Sequence, residues 1–194
     1  MAKKVSSKKV SSKKVKEVIQ EVPKRYCLDF GCGSNLCSPE FIGVDIAKTE
    51  AATLVMDLEK YPWKIESNSV DAINMTHYFE HVSDPFKFMN ECYRILKDEG
   101  QISIISPYYS SVRAFQDPTH KTAVSEMSFL YYNKEWRVAN KLDHYPLSCN
   151  FNYTYGYSFH PNWATRSEEA RNFALIHYIN VVTDIQVLMT KIPE

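Results

Sequence analysis

The sequence predicts an α/β protein with a mostly parallel sheet covered by helices. Three observations predict it. Short apolar runs alternate with turns and one helical stripe between residues 25 and 106. The run Leu28-Asp29-Phe30-Gly31-Cys32-Gly33-Ser34-Asn35 reads as a buried strand followed by a glycine turn. The run Phe41-Ile42-Gly43-Val44-Asp45-Ile46 reads as a second strand that ends in an acid. Alternation of this kind builds parallel strands joined by crossovers.

Each element follows from local chemistry. Val15 to Val22 suits a short helix leading into the domain. Arg25 to Phe30 is the first strand. Ser34 to Glu40 is too short for a full crossover helix, which needs about ten residues or more. Pro39 interrupts it as well, so at most one helical turn fits. Phe41 to Asp45 is the second strand and Thr53 to Met56 the third. Val70 to Met75 is the fourth, followed by a loop with a helical turn over Thr76 to Val82. Asp84 is an N-cap and Pro85 a first helical residue. Phe86, Met89, Cys92, Tyr93 and Leu96 then form an apolar stripe, with Gly100 as the C-cap candidate. Gln101 to Ser106 is the fifth strand, stopped by Pro107. Phe151 to Phe159 alternates with period two, so Phe151, Tyr153, Tyr155, Tyr157 and Phe159 share one face. Ser167 before Glu168-Glu169 starts a helix that runs to about Tyr178. Val181 to Thr190 is the last strand.

The chain has 194 residues, enough for one domain with a sizeable core. The division expected is a disordered Lys-rich tail over 1–16 and a single domain over 17–194. Within that domain, 17–106 is the cofactor half and 107–194 the acceptor half. The net charge of zero hides an asymmetry. Residues 1–16 hold seven lysines and no acid, which leaves 16 basic against 23 acidic residues elsewhere. The tail repeats V-S-S-K-K and cannot bury enough apolar surface to fold alone. An acidic body argues against an extended phosphate-binding face, so nucleic acid is expected only through the tail. No run is long and apolar enough to span a bilayer, and no secretory signal is visible. Five cysteines, an odd number, suit a reducing compartment, so a cytoplasmic location is expected. Cys27, Cys32 and Cys37 lack metal-ligand spacing, and no metal site is expected.

The glycine turn carries the chemistry. Gly31 and Gly33 leave bare backbone for a ligand, and Asp45 is placed to accept from two ribose hydroxyls. The position of a third pyrophosphate glycine is Leu36, which argues against a dinucleotide. The D-x-G-x-G turn and G-V-D-I together resemble motif I of class I S-adenosylmethionine-dependent methyltransferases. D-A-I-N-M-T-H-Y-F-E-H-V-S-D is similar to the S-H-x-L-E-H-x-x-D segment of their small-molecule and glycan (methyltransferase type 11) members. F-M-N-E-C-Y-R-I-L-K-D-E-G-Q-I is similar to their E-x-x-R-V-L-K-P-G-G-x-L segment, with Asp98-Glu99 in place of Pro-Gly. The resemblance covers Cys27 to Ser106.

The resemblance implies a Rossmann-like seven-stranded sheet with helices on both faces, a shortened first crossover and the final strand pair antiparallel to the rest. It implies S-adenosylmethionine as cofactor, bound by Asp29, Gly31, Gly33, Asp45, Ile46, Asp57, Leu58 and Asn74. Asp29 would lie near the methionine ammonium, Asp45 at the ribose and Asp57 at the adenine amino group, with Ile46 and Leu58 on the ring faces. Methyl transfer to an oxygen or nitrogen needs a base, and His120 and His77 are the candidates. His81, beside Glu80, reads as structural. Asp117 suits orienting His120 or capping a turn. Tyr108 and Tyr109, and the strand face of Tyr153 and Tyr155, are candidate acceptor contacts.

Absences narrow the reaction. The fourth strand ends Asn74-Met75-Thr76 and not N-P-P-Y, and no Pro-Cys follows it. The expected acceptor is a small molecule, sugar or peptide-borne group. The alternatives are a nucleoside-binding module without catalysis, or an RNA or protein methyltransferase guided by the tail. Neither the acceptor's identity nor the oligomeric state is legible.

Overall fold

A computed structural model describes residues 25–193. The Lys-rich tail and the helix expected over 15–22 lie outside the described residues. Seven strands form one sheet in the order β3-β2-β1-β4-β5-β7-β6. They are β1 (Cys27–Phe30), β2 (Phe41–Asp45), β3 (Ala52–Val55), β4 (Val70–Thr76), β5 (Leu96–Pro107), β6 (Phe151–Phe159) and β7 (Val182–Lys191). β1 to β5 run parallel, and β7 pairs antiparallel with both β5 and β6. Only β7 therefore opposes the rest. β7 is the expected antiparallel last strand, while β6, expected to oppose the others with it, shares the direction of β5. The helices around the sheet are α1 (Pro85–Ile95), α2 (Arg113–Gln116), α3 (Lys134–Ala139), α4 (Pro161–Ala164) and α5 (Glu168–His177).

The order places the carboxyl ends of β1 and β4 side by side at the middle of the sheet. Strand order reverses there, and α/β sheets bind ligands at such a crevice. No helix forms between β1 and β2; turns fill residues 34–40. A 3₁₀ turn over Phe79–His81 follows β4. It is the element that sets the site's acidic and imidazole groups.

The long helix starts as its sequence dictates. Asp84 accepts from the Lys87 backbone N–H at 3.1 Å, and Pro85 opens the first turn. Phe88, Met89, Cys92 and Ile95 are fully buried beneath the sheet. The end of the helix differs from expectation. It stops at Ile95, and Gly100 lies inside β5. The backbone N–H groups of Asn68 and Ser69 take the carbonyls of Arg94 and Ile95. Those last carbonyls need no glycine cap. Residues 97–100 bulge out of register before pairing with β4 resumes at Gln101.

The core under the site is aromatic. Phe30, Trp63, Phe79 and Phe88 meet edge to face, with centroids 5.1–6.3 Å apart. Gly43 in β2 is a packing constraint. A Cβ there would stand 2.2 Å from the Ala51 carbonyl oxygen and 2.8 Å from Cys32 Sγ. Gly43→Ala is expected to cost about 1–3 kcal/mol by overpacking. Its melting midpoint should fall by roughly 3–10 °C in calorimetry. An unchanged midpoint would show that β3 yields without cost.

Candidate active site

Two cavities meet at Gly31. One, of about 270 Å³, is lined by Gly31, Asp45, Ile46, Asp57, Leu58, Tyr78 and His81 among others. The other, of about 200 Å³, is lined by Asp29, Gly31, Cys32, Asn35, Asn74 and Thr76 among others. The structure thus brings seven of the eight expected cofactor residues to the cavity walls. Gly33 is the eighth. A Cβ on it would meet nothing within 4 Å, so its backbone is open.

Local geometry explains each side chain. Gly31 and Gly33 adopt φ of 67° and 54°, which suits glycine. Asp45 Oδ2 accepts from the Gly33 N–H and Oδ1 from the Ala47 N–H, both at 2.9 Å. Each oxygen keeps a lone pair for a further donor. Asp29 is buried and spans three segments. Its Oδ2 accepts from Cys37 N at 2.8 Å, and its Oδ1 accepts from Asn74 Nδ2 at 2.7 Å. Asp57 caps its own turn by accepting from Glu59 N at 3.0 Å. Leu58 is buried, but Ile46 beside Asp45 is 69% exposed. An apolar side chain left in water at a cavity rim suits the face of a nucleobase.

Tyr78 is a residue the sequence did not single out. Its ring carbon lies 2.4 Å from where a Gly31 Cβ would be. Gly31 therefore makes room for Tyr78, while Gly33 presents the open backbone. The glycine spacing alone does not distinguish these two uses.

The second group lies beyond β4. His77 follows the strand at φ 55°, in the left-handed region. Its Nδ1 is 3.5 Å from Glu80 Oε1. Its Nε2 is 3.4 Å from Arg113 Nη2 and 4.0 Å from Asp184 Oδ1. Arg113 Nη1 also donates to Asp184 Oδ2 at 2.6 Å. Glu80 is 2% exposed, and its Oε2 accepts from Ser106 Oγ at 3.0 Å. Burial pushes the Glu80 carboxyl up, but His77, its own backbone and Ser106 outweigh that and hold it low. Glu80 is thus a buried carboxylate beside two imidazoles, because His120 Nε2 stands 4.0 Å from its Oε1. Arg113 and Asp184 were not legible, since they reach the site from α2 and β7.

The remaining expectations are placed as follows. Asp117 caps a turn: its carbonyl accepts from the His120 backbone N–H at 3.2 Å, and its carboxylate is engaged elsewhere. It accepts from Thr119 N and Oγ1, and Thr119 Oγ1 is 3.0 Å from His81 Nδ1. His81 is therefore held by this relay. Tyr108 is buried with its hydroxyl donating to Glu126 at 2.9 Å, whereas Tyr109 is 44% exposed. Tyr153 packs on Phe129 and pairs with Met189, away from the carboxyl edge of β5. Tyr155 is half exposed. Tyr157, further along the same face, reaches the site side by contact with Tyr108 at 5.3 Å.

The fold has counterparts among known proteins. Residues 28–104 match a family described as methyltransferase domain. An S-adenosylmethionine-dependent methyltransferase from Archaeoglobus fulgidus superposes with a TM-score of 0.60 at 23% identity, over 86% of each chain. The Bacillus subtilis YcgJ protein gives 0.53 at 18%, over 88% of this chain and 93% of that one. An S-adenosylmethionine-dependent methyltransferase from Mesorhizobium loti gives 0.53 at 12%, over 86% and 90%. No curated protein matches. Among the described residues no helix is long and apolar enough to cross a membrane. The glycine turn and its flanking strands thus lie within a stretch that matches a methyltransferase domain, and the chain shares the Rossmann-like fold of these structures.

Proposed function

We propose that the protein methylates an oxygen or nitrogen of a small-molecule, sugar or peptide-borne acceptor, and that His77 receives the acceptor's proton. The observation that carries this is the adjacency of the cavity at Gly31 to the His77–Glu80 pair, both positioned by the end of β4. When bound, S-adenosylmethionine supplies an electrophilic methyl group that the acceptor's lone pair takes from sulfur.

The residues present suit that cofactor. Asp45 offers free lone pairs to ribose hydroxyls, and Ile46 offers an exposed apolar face to adenine. Asp29 and Asn74 supply a fixed polar wall on the other side of Gly31. Asp57 lines the adenine side, although its turn already uses one oxygen.

His77 is favoured over His120 as the base by exposure and by the direction of its nitrogens. Its side chain is 36% exposed, against 10% for His120. Arg113 Nη2, 3.4 Å from Nε2, marks that nitrogen as the one with the lone pair; Arg113 already meets Asp184 through Nη1 and would turn away from Nε2 as that nitrogen takes the acceptor's proton. The Glu80 carboxylate, with Oε1 3.5 Å behind Nδ1, supports the imidazolium that forms by its charge and without a well-formed hydrogen bond in the resting geometry. Asp184 Oδ1, buried without a hydrogen-bond partner, stands where a proton on Nε2 would find it. Tyr109 and Asp117 flank the same loops and are proposed acceptor contacts. Tyr108, Tyr153 and Tyr155 act there only by supporting the wall through Tyr157.

Calorimetry tests the reading. S-adenosylhomocysteine should bind and NAD should not, because the turn lacks a pyrophosphate glycine at Leu36. Methyl transfer from labelled cofactor to an acceptor fraction should then be seen. Binding of NAD with no response to S-adenosylhomocysteine would overturn it. A protein that binds S-adenosylhomocysteine yet labels no acceptor would be the non-catalytic nucleoside module instead.

A further inference from the structure

We propose that Glu80, His81 and His120 form a binding site for a first-row divalent transition metal, beside the cofactor cavity. One ligand atom from each lies within 4.8 Å of the others. In its use of the metal to hold the acceptor's oxygen, the inference rests on the methyl-transfer reading; the site itself does not.

Three observations point to a cation. The first is an unsatisfied charge. Glu80 is 2% exposed, and its Oε1 has no hydrogen-bond partner. A buried carboxylate oxygen without a donor is costly unless something positive meets it. His77 Nδ1, at 3.5 Å, leaves this oxygen without a well-formed bond.

The second observation is the pair of tautomers. His120 Nδ1 is 3.0 Å from the Ala114 carbonyl oxygen, which can only accept. The proton of His120 is therefore on Nδ1, and a lone pair on Nε2 looks toward Glu80 Oε1 at 4.0 Å. Two acceptors thus share one space. The same argument holds for His81. The Thr119 hydroxyl spends its hydrogen on Asp117 Oδ1 at 2.7 Å. It must accept from His81 Nδ1 at 3.0 Å, which frees the Nε2 lone pair. Both imidazoles are held through Nδ1, which leaves Nε2 as the ligating nitrogen.

The third observation is what stands behind them. Metal-bound histidines usually donate their other N–H to a carbonyl or, directly or by relay, to a carboxylate. Ala114 O serves His120 in this way, and Thr119–Asp117 serves His81. The His81 and His120 rings stand edge to face at 4.7 Å. Ligand atoms on a metal with bonds of ~2.0–2.2 Å lie roughly 3–3.5 Å apart, so side-chain shifts of about 1 Å close the site.

The donor set names the cation. Two imidazoles and one carboxylate suit zinc, manganese, iron or cobalt, and are poor for magnesium or calcium, which prefer oxygen. Three protein ligands leave coordination positions open. An acceptor hydroxyl or enol oxygen bound there would be held and acidified next to His81, which lines the cofactor cavity.

The test uses the full chain, stripped with chelator and dialysed. Zn²⁺ and Co²⁺ are titrated by calorimetry, and bound metal is counted by elemental analysis. One equivalent per chain is expected, and the Co²⁺ spectrum should lack a thiolate charge-transfer band. His81→Ala and His120→Ala should each weaken metal binding by about 100-fold or more. Thr119→Ala, an exposed change that spares folding, should weaken it roughly 10–100-fold by freeing the His81 ring. S-adenosylhomocysteine affinity without metal is measured in parallel. No metal uptake at roughly millimolar concentration, or equal affinity in the variants, overturns the site. If the cofactor analogue binds in that case, the methyltransferase reading stands without it. Metal binding with no analogue binding would do the reverse.

Discussion

Replacing His77 with Asn should lower turnover by roughly 10²–10⁴-fold, the size of a lost general base. Asn is chosen because His77 sits at φ 55°, a conformation that Asn tolerates better than most residues. The effect should fall on kcat. S-adenosylhomocysteine affinity should stay near wild type, because the 270 Å³ cavity is lined by Tyr78 and His81 and not by His77. The physical reason is the pair behind the ring. In the proposed arrangement the buried Glu80 carboxylate stands 3.5 Å behind Nδ1 and Nε2 faces the acceptor. Single-turnover kinetics with labelled cofactor read the first quantity and calorimetry the second. A variant that keeps most of its turnover would move the base elsewhere. A variant that loses analogue binding would make His77 part of the cofactor site.

Asp45→Ala should weaken cofactor binding strongly. Each charge-assisted hydrogen bond to a ribose hydroxyl is worth about 1.5–3 kcal/mol, or roughly 10- to 150-fold in Kd. The Gly33 and Ala47 N–H groups would also lose their acceptors, so the turn loosens. Asp45→Asn separates the two effects. It retains one acceptor oxygen for the turn while losing the charge, and its analogue affinity should lie between wild type and the Ala variant. Calorimetry with S-adenosylhomocysteine checks the series, with circular dichroism as the folding control. Wild-type affinity in a folded Ala variant would leave Asp45 as a turn acid only.

Much of the fold was legible because it is local. The strand cores of β1 and β2 are short apolar runs bounded by glycine, proline or acid. The start of α1 is fixed by Asp84 and Pro85 within one turn. The end of α1 was not legible. Its last carbonyls are satisfied by residues 68 and 69, far away in sequence, and this removes the need for Gly100. The direction of β6 was misjudged for a similar reason. Alternation reveals a strand's face but says nothing of its neighbour, and β6 pairs only with β7.

The candidate site divides along the same line. The sequence by itself determined the residues that gather at the two cavities around Gly31: glycine at two positive-φ turn positions, an acid ending β2, and an asparagine in β4 within reach of Asp29. These are backbone requirements and register relations within one sheet, so they leave a spaced pattern. Only the tertiary structure decided the surroundings of His77. Tyr78 fills the space over Gly31, and Arg113 and Asp184 converge on His77 from α2 and β7. The Asp117 carboxylate reaches His81 through Thr119, while only its backbone carbonyl meets His120. Hydrogen-bond partnership between loops depends on where separate elements pack, and no spacing along the chain encodes that.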